Sequence, residues 1–371
     1  MRQQFVILFV GIAIISSVLS GCKDDQVSEP NGDGFDRGAM LENWADSLII
    51  PGYSDYVLTL EELNQTAIAF TTDPSVEGLL GMRNVFVKAY LNWQNVSMFE
   101  IGKAESIGLR DYTNTFPTSS EDIVRFITSG SYDLELPSTR MAQGFPAIEY
   151  LLYGLEEEDE VAATRFENGS NESKLLVSYC SRILDLTKEV LNDWNSGYRD
   201  DFVQNNGSGG NSSVNKLMND FMFYFERSIR AGKVGIPAGV FSSTPLPDKV
   251  EGFYSRTHSR ALLLAALGRV VRFYNGMHHQ GEGYGPGVDD YLNFLQSISG
   301  AEQLSSEINH QIAVAVEQAE LLSEDLSSQI VSDNVAMLKL YDELQKCVVL
   351  MKVDMFQAMN IKVDFVDADG D

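Results

Sequence analysis

Apolar side chains return every three or four positions along most of this chain, the spacing that lays one buried stripe along a helix. Over residues 79–105 the run LLGMRNVFVKAYLNWQNVSMFEIGKAE sets Val85, Tyr90, Trp93 and Val96 at steps of three to five. Asp73-Pro74-Ser75 ahead of it supplies a helix start with proline in the first turn. Similar runs cover residues 173–194, 213–230, 259–275, 289–299 and 301–360. The last is too long for one globular helix and is expected to break near 322–332. Alternating strand-like stretches are nearly absent, so the expected fold class is all-α. Polar or Gly/Pro-rich interruptions fall at 108–117, 205–213, 234–247 and 276–287. The NNGSGGNSS stretch at 205–213 orders itself least cheaply and is the best boundary. The expectation is two four-helix-bundle-like domains packed side by side, over 35–205 and 214–371. No repeat between the halves is visible.

The first 34 residues follow a different rule. Arg2 gives a short positive start, residues 5–18 (FVILFVGIAIISSV) are apolar, and Leu19-Ser20-Gly21-Cys22 closes the run. The stretch is below the ~20 apolar residues needed to cross a bilayer and reads as a signal peptide over 1–21. The cysteine after small residues resembles a bacterial lipobox, with Cys22 the lipidated first residue of the mature protein. Residues 22–34 are a polar tether. Two or more acyl chains give a durable anchor, so the expected partner is a membrane surface. Lys23-Asp24-Asp25 after the cysteine resembles an export tag of surface lipoproteins. The expected location is the cell envelope, at the outer membrane.

Charge narrows the partners. Removing residues 1–21 takes away one basic side chain and no acidic one, leaving 26 basic against 53 acidic, a net of −27. That balance excludes nucleic acid and adhesion to an anionic bilayer, which both reward Lys and Arg. With 44% hydrophobic residues the chain can bury a sizeable core. Cys180 and Cys347 lie in apolar helical patterns and read as two buried thiols, with a single bridge between them as the alternative.

The most specific stretch is residues 144–154, GFPAIEYLLYG. It resembles the signature of the imelysin family of bacterial surface and periplasmic proteins, a Gly-x-His-x-x-Glu element followed by an apolar Tyr-Leu-Leu-aromatic-Gly run. Met98-Phe99-Glu100-Ile101-Gly102, Asn114-Thr115-Phe116-Pro117, Glu251-Gly252-Phe253-Tyr254-Ser255 and the acidic terminus agree in order and spacing. Here the motif reads Gly144, Pro146, Glu149, and proline replaces the histidine. A His and a Glu three residues apart on a helix would share one face and suit a metal, but Pro146 has no lone pair to give. The resemblance implies a role in iron acquisition beside iron-uptake proteins, and a metallopeptidase activity that Pro146 undercuts.

Glu149, among Phe145, Ile148, Leu151 and Leu152, needs a partner or a proton. It reads either as a pocket carboxylate binding a cation or polar ligand, or as one pairing with Arg83 or another Arg to tie two helices. Pro146 can start or kink the helix. The expected binding cleft between the bundles is lined by Glu149, Glu100, Arg83, Tyr254 and Ser255. Asp364, Asp367, Asp369, Gly370 and Asp371 resemble part of a calcium loop, read either as a weak cation site at Asp367 and Asp369 or as a solvated tail docked on a helix. His278 and His279, with Glu282 close by, could hold a transition metal, although adjacent histidines usually point apart and a lone exposed pair is the commoner case. Ser255 and His258 could form a catalytic pair, although a helix start capped by Ser255 or Thr257 explains them better. His310, in an amphipathic helix, reads as a surface or interface residue.

The reading that follows is a lipid-anchored, imelysin-like binding protein of iron uptake rather than an enzyme, with iron, zinc or calcium as conceivable metals. One alternative is a surface metallopeptidase using His278 or His279 with carboxylates. Another is a noncatalytic interaction module, which would present an exposed apolar patch.

Overall fold

A computed structural model describes residues 33–299 and 303–365. The signal-like run, Cys22, most of the tether and the Asp367 and Asp369 candidates lie outside these residues.

The chain runs through α1 (Arg37–Asn43), α2 (Ile50–Thr72), α3 (Val76–Trp93), α4 (Lys103–Ile107), α5 (Leu109–Thr113) and α6 (Ser120–Ser129). It continues with α7 (Gly144–Glu149), α8 (Asp159–Thr164), α9 (Asn171–Asp193) and α10 (Arg199–Gln204). After the 205–212 loop come α11 (Ser213–Phe223), α12 (Ile236–Ala238), α13 (Ser259–Tyr274), α14 (Val288–Ser299), α15 (Leu304–Glu320), α16 (Leu326–Val349) and α17 (Phe356–Ala358). Among the described residues no strand forms beyond one isolated bridge, Met277 with Tyr284. The all-α expectation holds. No helix of the described residues is long and apolar enough to cross a membrane.

Serine side chains set several helix starts. Ser75, Ser119, Ser170 and Ser212 each accept the backbone N–H three residues on, satisfying a donor that the helix leaves over. The 301–360 run breaks at 321–325, close to the expected place, and bends again at Asp333 (φ −153°). The 79–105 run does not stay one helix. It ends at Trp93, and after a turn the chain passes Gly102 at φ +59°, a conformation that a right-handed helix cannot contain. The polar stretch at 108–117 carries the short helix α5, and the chain from Arg37 to Thr72 is helical throughout, in α1, α2 and the turn between them.

Widened π turns interrupt the α-helical path at Trp44–Ile49, Tyr150–Gly154, Trp194–Tyr198, Tyr224–Gly235 and Leu350–Met355. Such turns free backbone carbonyls and re-aim side chains, and they recur at functional sites. Two of them carry residues discussed below.

Helix α2 packs on α3 and α9, and α15 on α16. The buried apolar side chains form one continuous cluster from Met40 to Ile361. Rings bridge the halves on either side of the 205–212 loop: Trp44 stacks on Phe273 at 4.8 Å, and Phe99 meets Phe273 edge-on at 6.1 Å. Cys180 and Cys347 are free and buried, as read from their apolar surroundings.

Candidate functional site

The motif segment is built around a backbone that only glycine fits. Gly144 sits at φ +79°, and a Cβ there would lie 2.3 Å from the Thr113 carbonyl oxygen. This lets α7 begin directly against α5. Pro146 falls in the first turn of α7, where a missing N–H costs nothing, so it serves the helix start and makes no kink. Phe145 stacks on Tyr90 with ring centroids 4.6 Å apart.

Glu149, at the last position of α7, is 2% exposed. One carboxylate oxygen, Oε1, accepts the Ser255 backbone N–H at 2.9 Å. Burial pushes its pKa up to about 7; Ser255 and Tyr254 hydrogen bonds pull it down, and the Glu251 charge adds to the rise. Tyr254 packs edge-on against Tyr150 at 5.0 Å. Glu149, Tyr254 and Ser255 are therefore neighbours, as expected of one site.

Arg83 is not the partner of Glu149. Its Nε and Nη2 donate to the Leu152 carbonyl at 2.9 and 2.7 Å, its Nη1 pairs with Asp159 at 2.6 Å, and its guanidinium lies 4.6 Å from the Tyr153 ring centre. The π turn at Tyr150–Gly154 leaves that carbonyl to be satisfied, and the guanidinium fork answers it. Glu100 also lies apart from Glu149. Its carboxylate accepts the Arg110 backbone N–H at 3.1 and 3.0 Å, and its own N–H donates to Asp220 at 2.6 Å. Arg110 reaches Asp220 through Nη2 at 2.9 Å. Burial raises the Glu100 pKa to about 8.

Between these two places lies a polar centre absent from the sequence reading. Lys233 forms an ion pair with Glu251, both buried. Glu251 also accepts Asn114 Nδ2 at 2.7 Å and Gln94 Nε2 at 3.3 Å, and Lys233 Nζ donates to Gln94 Oε1 at 3.1 Å. The Tyr90 hydroxyl donates to Asn114 Oδ1 at 2.7 Å. Above this network opens a cavity of about 280 Å³, walled by 93–117 on one side and 224–249 on the other. The second wall is largely the π segment Tyr224–Gly235, which carries Tyr224, Arg227, Ser228 and Lys233. The Asn114-containing and Glu251-containing segments had family-like spacing, so their residues could have been found from sequence. Lys233 carried no such signal.

The remaining candidates are dispersed. His279 Nε2 meets Asp55 at 2.8 Å and Nδ1 meets Arg269 at 3.2 Å, a tie between the 276–287 loop and α2. The Ser255 hydroxyl donates to the Gly252 carbonyl, and the His258 ring meets Thr257, so no Ser–His pair forms. Neither Ser255 nor Thr257 caps α13, whose start at His258 has no side-chain cap. His310 is exposed. Asp364 donates its N–H to Asn219 at 3.0 Å, docking the start of the acidic tail on α11. Among the described residues no group of three or more His, Cys, Asp or Glu converges as a metal-holding set. With Pro146 in the histidine position and Glu149 engaged by Ser255, the motif does not fit a resident metal.

Glu149 predicts a pH dependence of known sign. Its folded pKa is raised above the unfolded value, so ionisation opposes folding; stability is reduced above pH 7 and recovers as pH falls toward 4.5. Glu149→Gln keeps the acceptor for Ser255 and is expected to gain up to about 3 kcal/mol over wild type at pH 8. That gain should vanish by about pH 4.5. Denaturant melts of both proteins across that range check it; a constant difference between them would refute the assignment.

An all-α protein with one shared core and a polar cavity between its halves is the class that fold and site define. The sequence model of the imelysin (peptidase M75) family matches residues 49–349, and the chain belongs to that family. No curated protein sequence matches it at a significant level. The fold is shared with crystal structures that include the following two. An imelysin-like protein from Psychrobacter arcticum 273-4 is 18% identical with a TM-score of 0.69, covering 89% of this chain and 97% of its own. A protein of Parabacteroides distasonis ATCC 8503 described as an iron-regulated protein A precursor is 15% identical with a TM-score of 0.69, covering 86% and 95%.

Proposed function

We propose that this chain is a lipid-anchored binding protein of the cell envelope that serves iron acquisition, and that its ligand occupies the cavity above Lys233 and Glu251. The observation that carries this reading is the cavity itself: both halves wall it, and a buried ion pair held by Gln94 and Asn114 forms its polar floor. Ligand sites favour such inter-segment clefts with a few fixed polar groups. Membership of the imelysin family and the name of the Parabacteroides neighbour support the link to iron. The Leu19-Ser20-Gly21-Cys22 sequence supports a lipid anchor, and Lys23-Asp24-Asp25 after it supports the outer membrane. Glu149, Tyr254 and Ser255 support the site from behind by fixing the chain next to Glu251.

Ser228→Trp tests it. Ser228 is a half-buried lining residue, and an indole there fills the space without removing any member of the polar floor. A strain lacking the gene is expected to accumulate less iron under chelation, and wild-type protein to restore it. With its cavity filled, Ser228→Trp should fail to restore uptake while the protein reaches the membrane fraction at normal level. Full restoration by Ser228→Trp, or normal iron in the deletion strain, would overturn the reading.

A further inference from the structure

Acidic side chains outnumber basic ones 53 to 27 in this chain, yet the cavity wall reverses the sign. Arg110, Arg227, Lys233 and Lys249 line it, and no Asp or Glu does. We infer that the cavity takes a small organic polycarboxylate, either as the free acid or as its ferric chelate. This inference rests on the reading of the cavity as the ligand site.

The carboxylates paired with Arg110, Lys233 and Lys249 stand outside the lining. Asp220 holds Arg110 through Nη2 and Glu100 stands 4.0 Å from its Nε, which donates to the Ser97 carbonyl at 2.9 Å. A guanidinium carries five N–H donors in a planar fork, so these bonds leave donors over for a carboxylate. Glu251 holds Lys233 at the floor. Lys249 pairs with its sequence neighbour Asp248 at 2.9 Å in a partly exposed contact. An exposed pair of that kind contributes about 0–1 kcal/mol, so Lys249 can exchange Asp248 for an entering anion at little cost.

The cations stand on both walls, Arg110 on one and Arg227, Lys233 and Lys249 on the other. A ligand bridging them needs more than one anionic group. Trp93, Phe116 and Tyr224 supply apolar wall between the charges and suit the carbon skeleton. A volume of about 280 Å³ falls just below the usual range of ligand cavities, roughly 300–1,000 Å³, which selects a metabolite-sized acid over a peptide. A bare cation would meet the wrong sign of charge here, whereas a chelate of ferric ion with excess carboxylate carries the right one.

The test uses purified full-length protein in detergent, with citrate, ferric citrate and neutral sorbitol as probes. Tryptophan fluorescence reads binding, since Trp93 is on the wall, and calorimetry confirms it. Expected are saturable binding of at least one citrate form, none of sorbitol, and an affinity that falls as salt rises from about 50 to about 500 mM. Lys249→Gln at the rim and Arg227→Gln deeper in should each weaken binding on the order of tenfold. Lys249→Gln, being at the surface, keeps the test valid if Arg227→Gln folds poorly. Tighter binding of ferric citrate assigns the chelate as cargo, and equal or tighter binding of citrate assigns the free acid; either supports the inference. Absence of saturable binding for both, or affinities unchanged in both variants, overturns it. Should Ser228→Trp impair iron accumulation while both citrate forms fail to bind, the cavity reading stands and the polycarboxylate falls.

Discussion

Lys233→Met is expected to cost about 3–5 kcal/mol, because it strands the buried Glu251 carboxylate without its cation. The Asn114 and Gln94 amides would remain on Glu251, but neutral donors do not replace a charge held in a low-dielectric interior. The penalty belongs to the orphaned charge more than to the lost bond, so Glu251→Gln in the same chain should recover most of it. Thermal melts of wild type, the single variant and the double variant decide this. A single variant within about 1 kcal/mol of wild type would mean that water reaches the pair. A double variant as unstable as the single one would place the loss in packing around the lysine stem.

Gly144→Ala is the second large effect, expected at about 3 kcal/mol or more. The residue combines φ +79° with a Cβ position 2.3 Å from the Thr113 carbonyl oxygen and 2.8 Å from that of Tyr112. Those neighbours are backbone, so no rotamer change relieves the overlap, and α7 must move away from α5. Gly169 supplies the control. It has nearly the same φ, +83°, with nothing within 4 Å of the added Cβ. Gly169→Ala therefore pays only the conformational strain, about 1 kcal/mol. Equal melting temperatures for the two variants would show that close approach of α7 to α5 does not matter. A displaced α7 should also loosen Glu149 from Ser255 and flatten the pH response described above.

The helical class was legible because period-3.6 stripes survive any detail of tertiary packing, and the 205–212 loop because its composition has nothing to bury. The motif was legible too, down to Glu149, Tyr254 and Ser255 as neighbours. Arg83 shows where such reading fails. A carboxylate among apolar side chains needs a partner and Arg83 was one candidate for Glu149, yet Arg83 answers a backbone carbonyl released by a π turn. Amino-acid periodicity does not encode such a turn, since one inserted residue shifts the stripe without erasing it. Lys233 and Glu251 were hidden for a related reason. They are 18 residues apart, Lys233 inside a π segment and Glu251 beyond a Gly/Pro-rich loop, and nothing in either local pattern says that they face each other. The metal alternative at the histidines fails in the opposite direction. His279 looked available for a metal in a polar loop, but Asp55, more than two hundred residues earlier, had already claimed its ring.

The two buried thiols turn the shared core into something measurable. Burial raises the Cys347 pKa to about 12 and that of Cys180 further still, so almost no thiolate exists at neutral pH while the fold is closed. Cys180 lies in α9 of the first half and Cys347 in α16 of the second, one in each half of the same apolar cluster. An alkylating reagent therefore reads out opening of each half separately. If the halves open only together, both cysteines label at one rate and in one denaturant-dependent step. The pair is a built-in clock for cooperativity, and it shields the chain from adventitious cross-linking for as long as it stays folded.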